Sequence, residues 1–379
     1  MKALHVDLVS PFFPLKGGIA RFSTALRATL LKQGHEVEAI SFKRLYPRIL
    51  LGGKGVYEPG VSREPGNGVL PILDLLNPLT WFSAARHIRR MQPDIMICAY
   101  WFGLLSPLYR LLRHVSGIKM IVLMHNFTSH ERFFAEKKLR DLLMGSADGI
   151  VTLSEHVARQ VENAYPDVPV RVLFHPVYSP PGLLLSRDAA CSRLGIDPGR
   201  RVLLFFGYIR RYKGLDILVD AMPEVIRRHP GTQLVIAGEF YYGEKKFRER
   251  IEKLGIGEQV KIYPEFVSGE RMPLFFSAAD AVVLPYREAS QSGVVQQAYG
   301  FGCPVIVSGK GGLPEAVREG ETGVVVDPLG PGTLAEGICG FLSSRERIPY
   351  GENVEKYARE FSWEAFAGKF EDFAREVIS

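Results

Sequence analysis

The chain has 379 residues, of which 46% are hydrophobic and 23% are charged. This composition is typical of a soluble globular protein with two or three domains, and it excludes a disordered, collagen-like or coiled-coil chain. The formal net charge is +6, and it is uneven, because residues 1–180 carry 22 Lys and Arg against 14 Asp and Glu whereas residues 181–379 carry 25 against 27.

Short β-branched runs alternate with helical stretches along the first half of the chain. This alternation predicts a parallel sheet wound with crossover helices. The predicted strands are 2–9, 36–42, 94–99, 118–124, 148–152 and 170–174, and the predicted helices lie near 19–33, 78–91, 103–115, 135–145 and 154–164.

A turn-rich stretch at 179–182 separates this half from a second one of the same kind. Helical sequence from about 350 to 378 ends the chain, with an interruption near 361–363. The second half has predicted strands at 201–207, 232–238, 259–263, 280–284, 304–307 and 323–326, and predicted helices near 215–229, 244–254, 270–277, 293–301 and 333–344. We therefore expect an α/β protein made of two Rossmann-like βαβ domains facing across a cleft.

The loop after the first predicted strand contains Gly17 and Gly18, followed at once by a helix. Ligands of parallel sheets bind outside the carboxyl ends of the strands, so such loops are where functional residues are expected. Paired glycines let the backbone approach a ligand closely, and a helix N-terminus favours a phosphate. Taken alone, this glycine pair could also be an ordinary turn.

The loop after strand 201–207 carries three cations, Arg210, Arg211 and Lys213, behind Gly207. Three positive charges in a cleft suit a diphosphate, whose leaving oxygen gains negative charge as its bond breaks. We prefer this interpretation to a surface loop of solvated charges because the loop is expected to lie across the cleft from Gly17.

The loop after strand 280–284 contains Glu288, Ser292 and Gly293, and Gln297 lies about one helical turn further on. The N–H groups of Ser292 and Gly293 at the start of a helix predict another anion site. A carboxylate and an amide so placed could hold sugar hydroxyls, whereas the alternative is a capped core helix with incidental polar residues.

The order and spacing of these segments resemble glycosyltransferase family 4, the retaining nucleotide-sugar transferases of GT-B architecture, over essentially the whole chain. The runs that carry the resemblance are 14–22, 34–37, 125–126 with 130–131, 147–154, 207–214, 234–238, 279–285, 298–306, and 311–315 with Gly323.

The resemblance implies an acceptor-side domain at 1–178, completed by a C-terminal helix at about 363–379, and a nucleotide-sugar-binding domain at 179–362. It implies that His125 approaches the donor sugar, although a structural role for this histidine is the alternative. The candidate catalytic residues are Lys213, Arg210, His125 and Glu288, and the candidate donor-binding residues are Gly17, Gly18, Gly207, Arg211, Ser292, Gly293 and Gln297.

Two departures from the family pattern concern the donor site. Tyr208 stands where the family usually has an arginine directly after the glycine matched by Gly207, and Arg210 or Arg211 could supply that cation. The family's Glu-x7-Glu pair is absent, so Glu288 could stand in for the first member while Gln297 occupies the second position. These departures leave open a non-catalytic nucleotide-sugar-binding subunit, or a sugar-nucleotide epimerase of the same architecture.

The expected partners are a UDP- or GDP-sugar donor and a glycan or lipid-linked acceptor. The sequence has no Asp-x-Asp motif and no histidines at metal-ligand spacing, so we expect neither a metal nor a further cofactor. Nucleic-acid binding is not expected, because the positive charge lacks a recognisable module.

The excess of positive charge in the first half of the chain has two interpretations. It suits a surface that meets anionic lipid heads or a polyanionic acceptor, and it equally suits an ordinary solvated face. It includes Arg86, Arg89, Arg90, Arg110, Arg113, Arg132, Lys137, Lys138 and Arg140, with Trp81, Trp101 and Phe133 nearby. Because the chain starts with a short polar strand rather than a signal peptide, we expect a cytoplasmic protein, peripheral at the inner face of the membrane if the first reading holds.

Overall fold

The computed structural model describes residues 2–45, 55–62, 64, 66, 68–128 and 135–379. The chain divides into two compact units. The first comprises Met1–Phe174 and Trp363–Ser379, and the second comprises His175–Ser362. Of the positions named above, residues 130–134, with His130, Glu131, Arg132 and Phe133, lie outside the described residues.

The first unit is a parallel seven-stranded sheet covered by helices. Its strands run in the order β3-β2-β1-β4-β5-β6-β7. The strands are β1 (His5–Val9), β2 (Glu36–Arg44), β3 (Val69–Asp74), β4 (Ile95–Tyr100), β5 (Met120–Met124), β6 (Gly149–Thr152) and β7 (Val170–Val172). The helices are α1 (Gly18–Lys32), α2 (Pro78–Met91), α3 (Ser106–Ser116), α4 (Glu136–Met144), α5 (Glu155–Ala164) and, from the end of the chain, Trp363–Ile378.

The second unit is a parallel six-stranded sheet with the strand order β10-β9-β8-β11-β12-β13. The strands are β8 (Arg201–Phe206), β9 (Thr232–Ala237), β10 (Val260–Tyr263), β11 (Ala281–Leu284), β12 (Val305–Ser308) and β13 (Gly323–Val326). The helices are α6 (Arg187–Arg193), α7 (Leu215–Arg228), α8 (Glu244–Lys253), α9 (Met272–Phe276), α10 (Gly293–Gly300), α11 (Pro331–Ser344) and α12 (Tyr350–Glu360), so the terminal helix Trp363–Ile378 is α13.

Both faces of the second sheet are buried, as its near-continuous apolar strands require. Alternate residues of β8 enter two separate cores: Leu204 packs with α10 on one face, and Leu203 packs with α7 and α11 on the other. From β8 the chain first adds β9 and β10 on one side of the sheet and then β11, β12 and β13 on the other, so the direction of winding changes next to β8. The loops that follow β8 and β11 therefore stand at the switch point where such sheets bind ligands.

The segment 175–178 belongs to the second unit, whereas the sequence placed the domain boundary after residue 178. The Val177 N–H donates to the Phe361 carbonyl at 2.9 Å, and the Tyr178 N–H donates to the Gln296 carbonyl at 3.4 Å. These backbone hydrogen bonds attach the segment to α10 and to the end of α12.

The terminal helix α13 buries an aromatic stripe within the first unit. Trp363 and Phe366 pack edge-on against Phe22 of α1, with ring centroids 4.9 and 5.7 Å apart. A Cβ atom on Gly149 of β6 would lie 2.9 Å from the Phe373 ring, so the glycine lets this helix approach the sheet closely.

Two elements differ from those predicted from the sequence. The strand β3 was not predicted, because Pro71 lies inside it and a proline argues against a strand. The structure tolerates Pro71 because β3 is at the edge of the sheet. The short helix α6 was also not predicted, since seven mostly polar residues after a linker give little periodicity.

The basic surface of the first unit is less aromatic than the sequence indicated. Trp101 is buried, and half-buried Trp81 donates its indole N–H to the Asp74 carbonyl. Arg140 is also buried, with its guanidinium carbon 3.8 Å from the centre of the Phe127 ring.

No helix in the described part of the chain is both long enough and apolar enough to span a bilayer.

Candidate functional site

Lys213 lies at the centre of the candidate site, at the carboxyl end of β8. It is the last residue of a single 3-10 turn, Arg211–Lys213, and it is only 7% exposed. Its Nζ atom lies 3.2 Å from the point that a Cβ atom would occupy on Gly207, and 5.3 Å from the centre of the Tyr286 ring. The ammonium group is therefore held against a bare stretch of backbone and an aromatic face.

The electrostatic environment of Lys213 is unfavourable for its own charge. Burial, together with the neighbouring charge of Arg210, lowers the pKa of Lys213 to about 8. No carboxylate of a described residue pairs with this ammonium group. Buried charges are normally paired, so an unpaired one at a strand end indicates a place for an anionic ligand.

The two arginines of the same loop lie over aromatic side chains that follow β9. The guanidinium carbon of Arg210 is 4.3 Å from the centre of the Tyr241 ring, and that of Arg211 is 5.6 Å from the centre of the Tyr242 ring. Stacking of this kind holds a guanidinium in place while leaving its edge able to donate hydrogen bonds.

The loops that follow β8 and β11 are joined. Gly214 has a positive φ of 67°, and a Cβ atom there would lie 2.0 Å from the Pro285 carbonyl oxygen, so only glycine allows this contact. Arg287 also pairs with Asp216 in the first turn of α7 through two hydrogen bonds of 2.9 and 2.5 Å. The position of Lys213 is thus fixed by the neighbouring loop.

The N-terminus of α10 lies beside Lys213. Ser292 is the N-cap residue, and its side chain accepts a hydrogen bond from the Val294 N–H. A methyl carbon of Val294 lies 3.7 Å from the Cβ position of Gly207, the position that Lys213 Nζ also approaches. The structure therefore brings Gly207, Lys213 and the start of α10 at Gly293 into one place.

Gln297 presents an unused hydrogen-bond acceptor on α10. The residue is 8% exposed, and its Oε1 atom has no hydrogen-bond partner among the described residues. An orphaned buried amide oxygen is costly, and a ligand hydroxyl would satisfy it. Glu288, by contrast, has an exposed side chain.

The predicted residues of the first unit lie at the carboxyl ends of β1 and β5. Gly17 is the N-cap residue of α1, and no atom of the described residues lies within 4 Å of a Cβ atom built on Gly17 or Gly18, so this backbone faces open space among them. The His125 N–H donates to the Tyr100 carbonyl at 2.8 Å, and the buried His125 ring packs edge-on against Phe22 of α1. Phe22 thereby links His125 to the helix that the two glycines begin.

Sequence reasoning missed His175 and Tyr286. Burial lowers the pKa of His175 to about 4, and its Nε2 atom lies 3.5 Å from the Cβ position of Gly293. Tyr286 supplies the ring beneath Lys213. A signal was available for both, because each follows the end of a predicted strand, where functional residues are expected.

Comparison with family models covers most of the chain in two parts. Residues 16–178 match the family described as Glycosyltransferase Family 4, and residues 186–361 match the family described as Glycosyl transferases group 1. The first match contains Gly17, Gly18 and His125, and the second contains Lys213 and α10.

Individual proteins and solved structures are also similar to this chain. A D-inositol 3-phosphate glycosyltransferase of Segniliparus rotundus is 32% identical over 231 residues, which are 59% of this chain and 51% of that relative, so the match spans about half of its length. A sucrose-phosphate synthase of Thermosynechococcus elongatus is 19% identical, with a TM-score of 0.77 over 98% of both chains. Anabaena HepE, solved with UDP and glucose, is 17% identical, with a TM-score of 0.75 over 98% of this chain and all of that one.

Proposed function

The chain belongs to glycosyltransferase family 4 and has the GT-B fold, and on that premise we propose that it transfers a sugar from a nucleotide-sugar donor to a glycan or lipid-linked acceptor. Transfer proceeds with retention of the anomeric configuration and without a metal ion. The residues that bind the donor are those at the carboxyl ends of β8 and β11.

The observation that carries this proposal is the buried ammonium group of Lys213. It lies against Gly207 and beside the start of α10, and no carboxylate of a described residue neutralises it. A diphosphate supplies the missing negative charge, and the N–H groups at the start of α10 donate to its oxygens. An unpaired positive charge in this loop would stabilise the negative charge that develops on a departing nucleoside diphosphate.

The chemistry follows from where the leaving group is held. The bond from the sugar C1 atom to the β-phosphate oxygen breaks while the acceptor oxygen bonds to C1 from the same face. The leaving phosphate oxygen takes the acceptor proton. Lys213 and Arg210 stabilise the charge that develops on the diphosphate, which is the task that a metal ion performs elsewhere. His125 and the Gly17–Gly18 backbone act on the transferred sugar and its acceptor.

For the donor we propose a UDP-sugar, with a GDP-sugar as the other outcome. HepE, which shares the fold, was solved with UDP and glucose. The orphaned Oε1 of Gln297 suits a ribose hydroxyl, which both donors carry. Exposed Glu288 holds hydroxyls of the transferred sugar in place of the carboxylate that the family usually has one residue later.

We also propose that the first unit, on the acceptor side, contacts an anionic membrane through α2. Leu79 and Phe82 on this helix are 76% and 42% exposed, and Leu76 just before it is 50% exposed. Arg86, Arg89 and Arg90 are exposed further along the same helix. Apolar side chains beside a row of cations suit a helix that lies in the interface of an anionic bilayer.

The donor is tested by titrating the chain with UDP, GDP, UDP-glucose and GDP-mannose in a thermal-shift assay, followed by product analysis with each stabilising donor. Binding raises the melting temperature by mass action. Release of nucleoside diphosphate only when an acceptor is added supports transfer. A change in the donor sugar without an acceptor would instead indicate an epimerase, and binding without turnover would indicate a non-catalytic subunit.

The membrane contact is tested by co-sedimentation with vesicles of phosphatidylglycerol or of phosphatidylcholine. We expect binding to the anionic vesicles alone, weakened by salt and by Leu79→Glu or Phe82→Glu. Leu183→Glu is the matched control, because Leu183 is a 91% exposed leucine of the second unit. Equal binding of all variants, or none by the parent chain, would contradict the contact.

A further inference from the structure

The second unit contains a cavity at the end of its sheet opposite the loops that follow β8 and β11, which we call the donor loops. Its volume is about 540 Å³, and its lining includes Asp280 and Cys303, which precede β11 and β12. Donor loops follow the carboxyl ends of strands, whereas these residues stand at the amino ends. The cavity is therefore separate from the candidate donor site, and its size falls within the range of small-molecule pockets.

The polar part of the lining leaves one guanidinium with spare donors. Arg187 is occupied, since its terminal nitrogens donate to the carbonyls of Ala278 and Arg200 and pair with Asp280. Arg345 pairs with the other oxygen of the same carboxylate at 2.7 Å through Nη2. The Asp280 carboxylate thus faces two guanidinium groups, and Arg345, whose side chain is 38% exposed, is the one of the two with donors left for a ligand.

Apart from Ser277 and the exposed Glu352, the rest of the lining is mostly apolar and aromatic. Phe301 stacks on Phe276 with ring centroids 4.8 Å apart and an interplanar angle of 9°. Leu184 and Leu185 form part of the wall, and Leu184 is 60% exposed. A ligand here would bury an apolar body against these side chains while an anionic group reaches Arg345.

We propose that this cavity is a regulatory site for a small organic anion, a carboxylate or phosphate monoester with an apolar or aromatic body. Its occupancy changes donor affinity through α10. That coupling rests on the proposed function of the donor loops, whereas binding in the cavity does not.

The helix α10 connects the two sites directly. Its first residue, Gly293, lies at the candidate phosphate site, and Phe301, which follows its last residue, lines the cavity. Eight helical residues span about 12 Å. A ligand that displaces the Phe301 ring therefore moves the end of a short rigid element whose other end binds the donor. Coupling of this kind is reciprocal, so donor and effector change each other's affinity by the same factor.

Binding is tested with phenylacetate and phenyl phosphate as anionic probes and phenylacetamide as their neutral counterpart, by ligand-detected NMR titration. Probes of this size bind in the millimolar range, and loss of one charge-assisted contact weakens binding about tenfold. We expect about tenfold weaker binding for phenylacetamide, for Arg345→Gln and for Leu184→Asp. Leu184→Asp changes an exposed side chain, so it keeps the test valid if Arg345→Gln fails to fold.

Leu183→Asp is the matched control, because Leu183 is exposed and does not line the cavity. It should bind the probes as the parent chain does. Absence of probe binding to the parent chain, or equal binding to Leu184→Asp, would overturn the site. A preference for phenyl phosphate or for phenylacetate identifies which anionic group the site takes.

Coupling is tested by titrating UDP with and without a saturating probe. We expect UDP affinity to change at least about fivefold, with a matching change in probe affinity when UDP is saturating. An unchanged UDP affinity would overturn the regulatory role. Failure of UDP to bind at all would instead contradict the proposed function, and the probe titration would still decide the cavity.

Discussion

The ammonium group of Lys213 lies 3.2 Å from the point that a Cβ atom would occupy on Gly207. Any larger residue at position 207 would contact the lysine, and its φ of 97° would also strain the backbone. The glycine therefore keeps open the space in front of a buried, unpaired cation.

Replacing Lys213 with methionine should stabilise the ligand-free protein and weaken donor binding. The lowered pKa of Lys213 means that its charged form costs free energy in the folded state, on the order of 1–3 kcal/mol below about pH 8. Methionine fills similar space without that cost, so the denaturation midpoint at pH 7 should rise. Transfer should fall at least about a hundredfold, as expected for one lost transition-state contact.

Lys245→Met is the matched control for this experiment, because the Lys245 side chain is 91% exposed on α8. It should change neither the midpoint nor the stabilisation by UDP. A Lys213→Met protein that loses stability and keeps UDP binding would show that Lys213 is structural.

Donor affinity should fall as the pH rises above about 8. The charged form of Lys213 binds the diphosphate, and its pKa of about 8 means that the free site loses this charge in that range. The phosphate pKa near 6 leaves the charge of the diphosphate group of UDP constant there. Calorimetric titrations at increasing pH should show affinity approaching a tenfold loss per unit, with a flat profile for Lys213→Met. A flat profile for the parent chain would refute this assignment.

Replacing Gly18 with alanine should impair transfer without impairing folding. Within the part of the chain that the structure describes, no atom lies within 4 Å of a Cβ atom at this position, and alanine favours the helix that begins there. The added methyl would meet only a ligand that touches this backbone, and a misplacement of this size should cost about tenfold or more in kcat/KM.

Gly332→Ala offers a close control for Gly18→Ala. Gly332 also lies in the first turn of a helix, α11, and no described residue has an atom within 4 Å of its Cβ position. Normal transfer by both variants would mean that the Gly17–Gly18 backbone does not touch a ligand.

Gln297→Leu should lower UDP affinity about tenfold while leaving the denaturation midpoint unchanged or higher. The orphaned Oε1 atom is lost along with its desolvation cost. Gln297→Glu should raise affinity, because a carboxylate accepts a ribose hydroxyl more strongly than an amide does. Gln296→Leu removes the adjacent orphaned oxygen on a different side of α10 and should leave UDP binding unchanged.

The glycosyltransferase family and the α/β fold could be predicted from the sequence, because strand ends with their glycines recur in a fixed order. The strand β3 could not, since Pro71 hides an edge strand from any reading based on periodicity. The burial of Trp101 and Arg140 was likewise invisible, because neighbouring charges in sequence do not reveal which side chains fold inward.

The lysine of the candidate site could be singled out, but its surroundings could not. The convergence of Lys213 with Tyr286 depends on contacts between loops far apart in sequence, such as that between Gly214 and the Pro285 carbonyl. His175 was passed over although it follows a predicted strand, because a lone histidine there forms no motif, and its burial beside Gly293 is what distinguishes it.

A crystal structure of the UDP complex at pH 7 tests the central claim most directly. The account predicts a diphosphate oxygen at about 2.8 Å from Lys213 Nζ, with further oxygens facing the N–H groups at the start of α10. A diphosphate bound elsewhere, with Lys213 still unpaired, would contradict it.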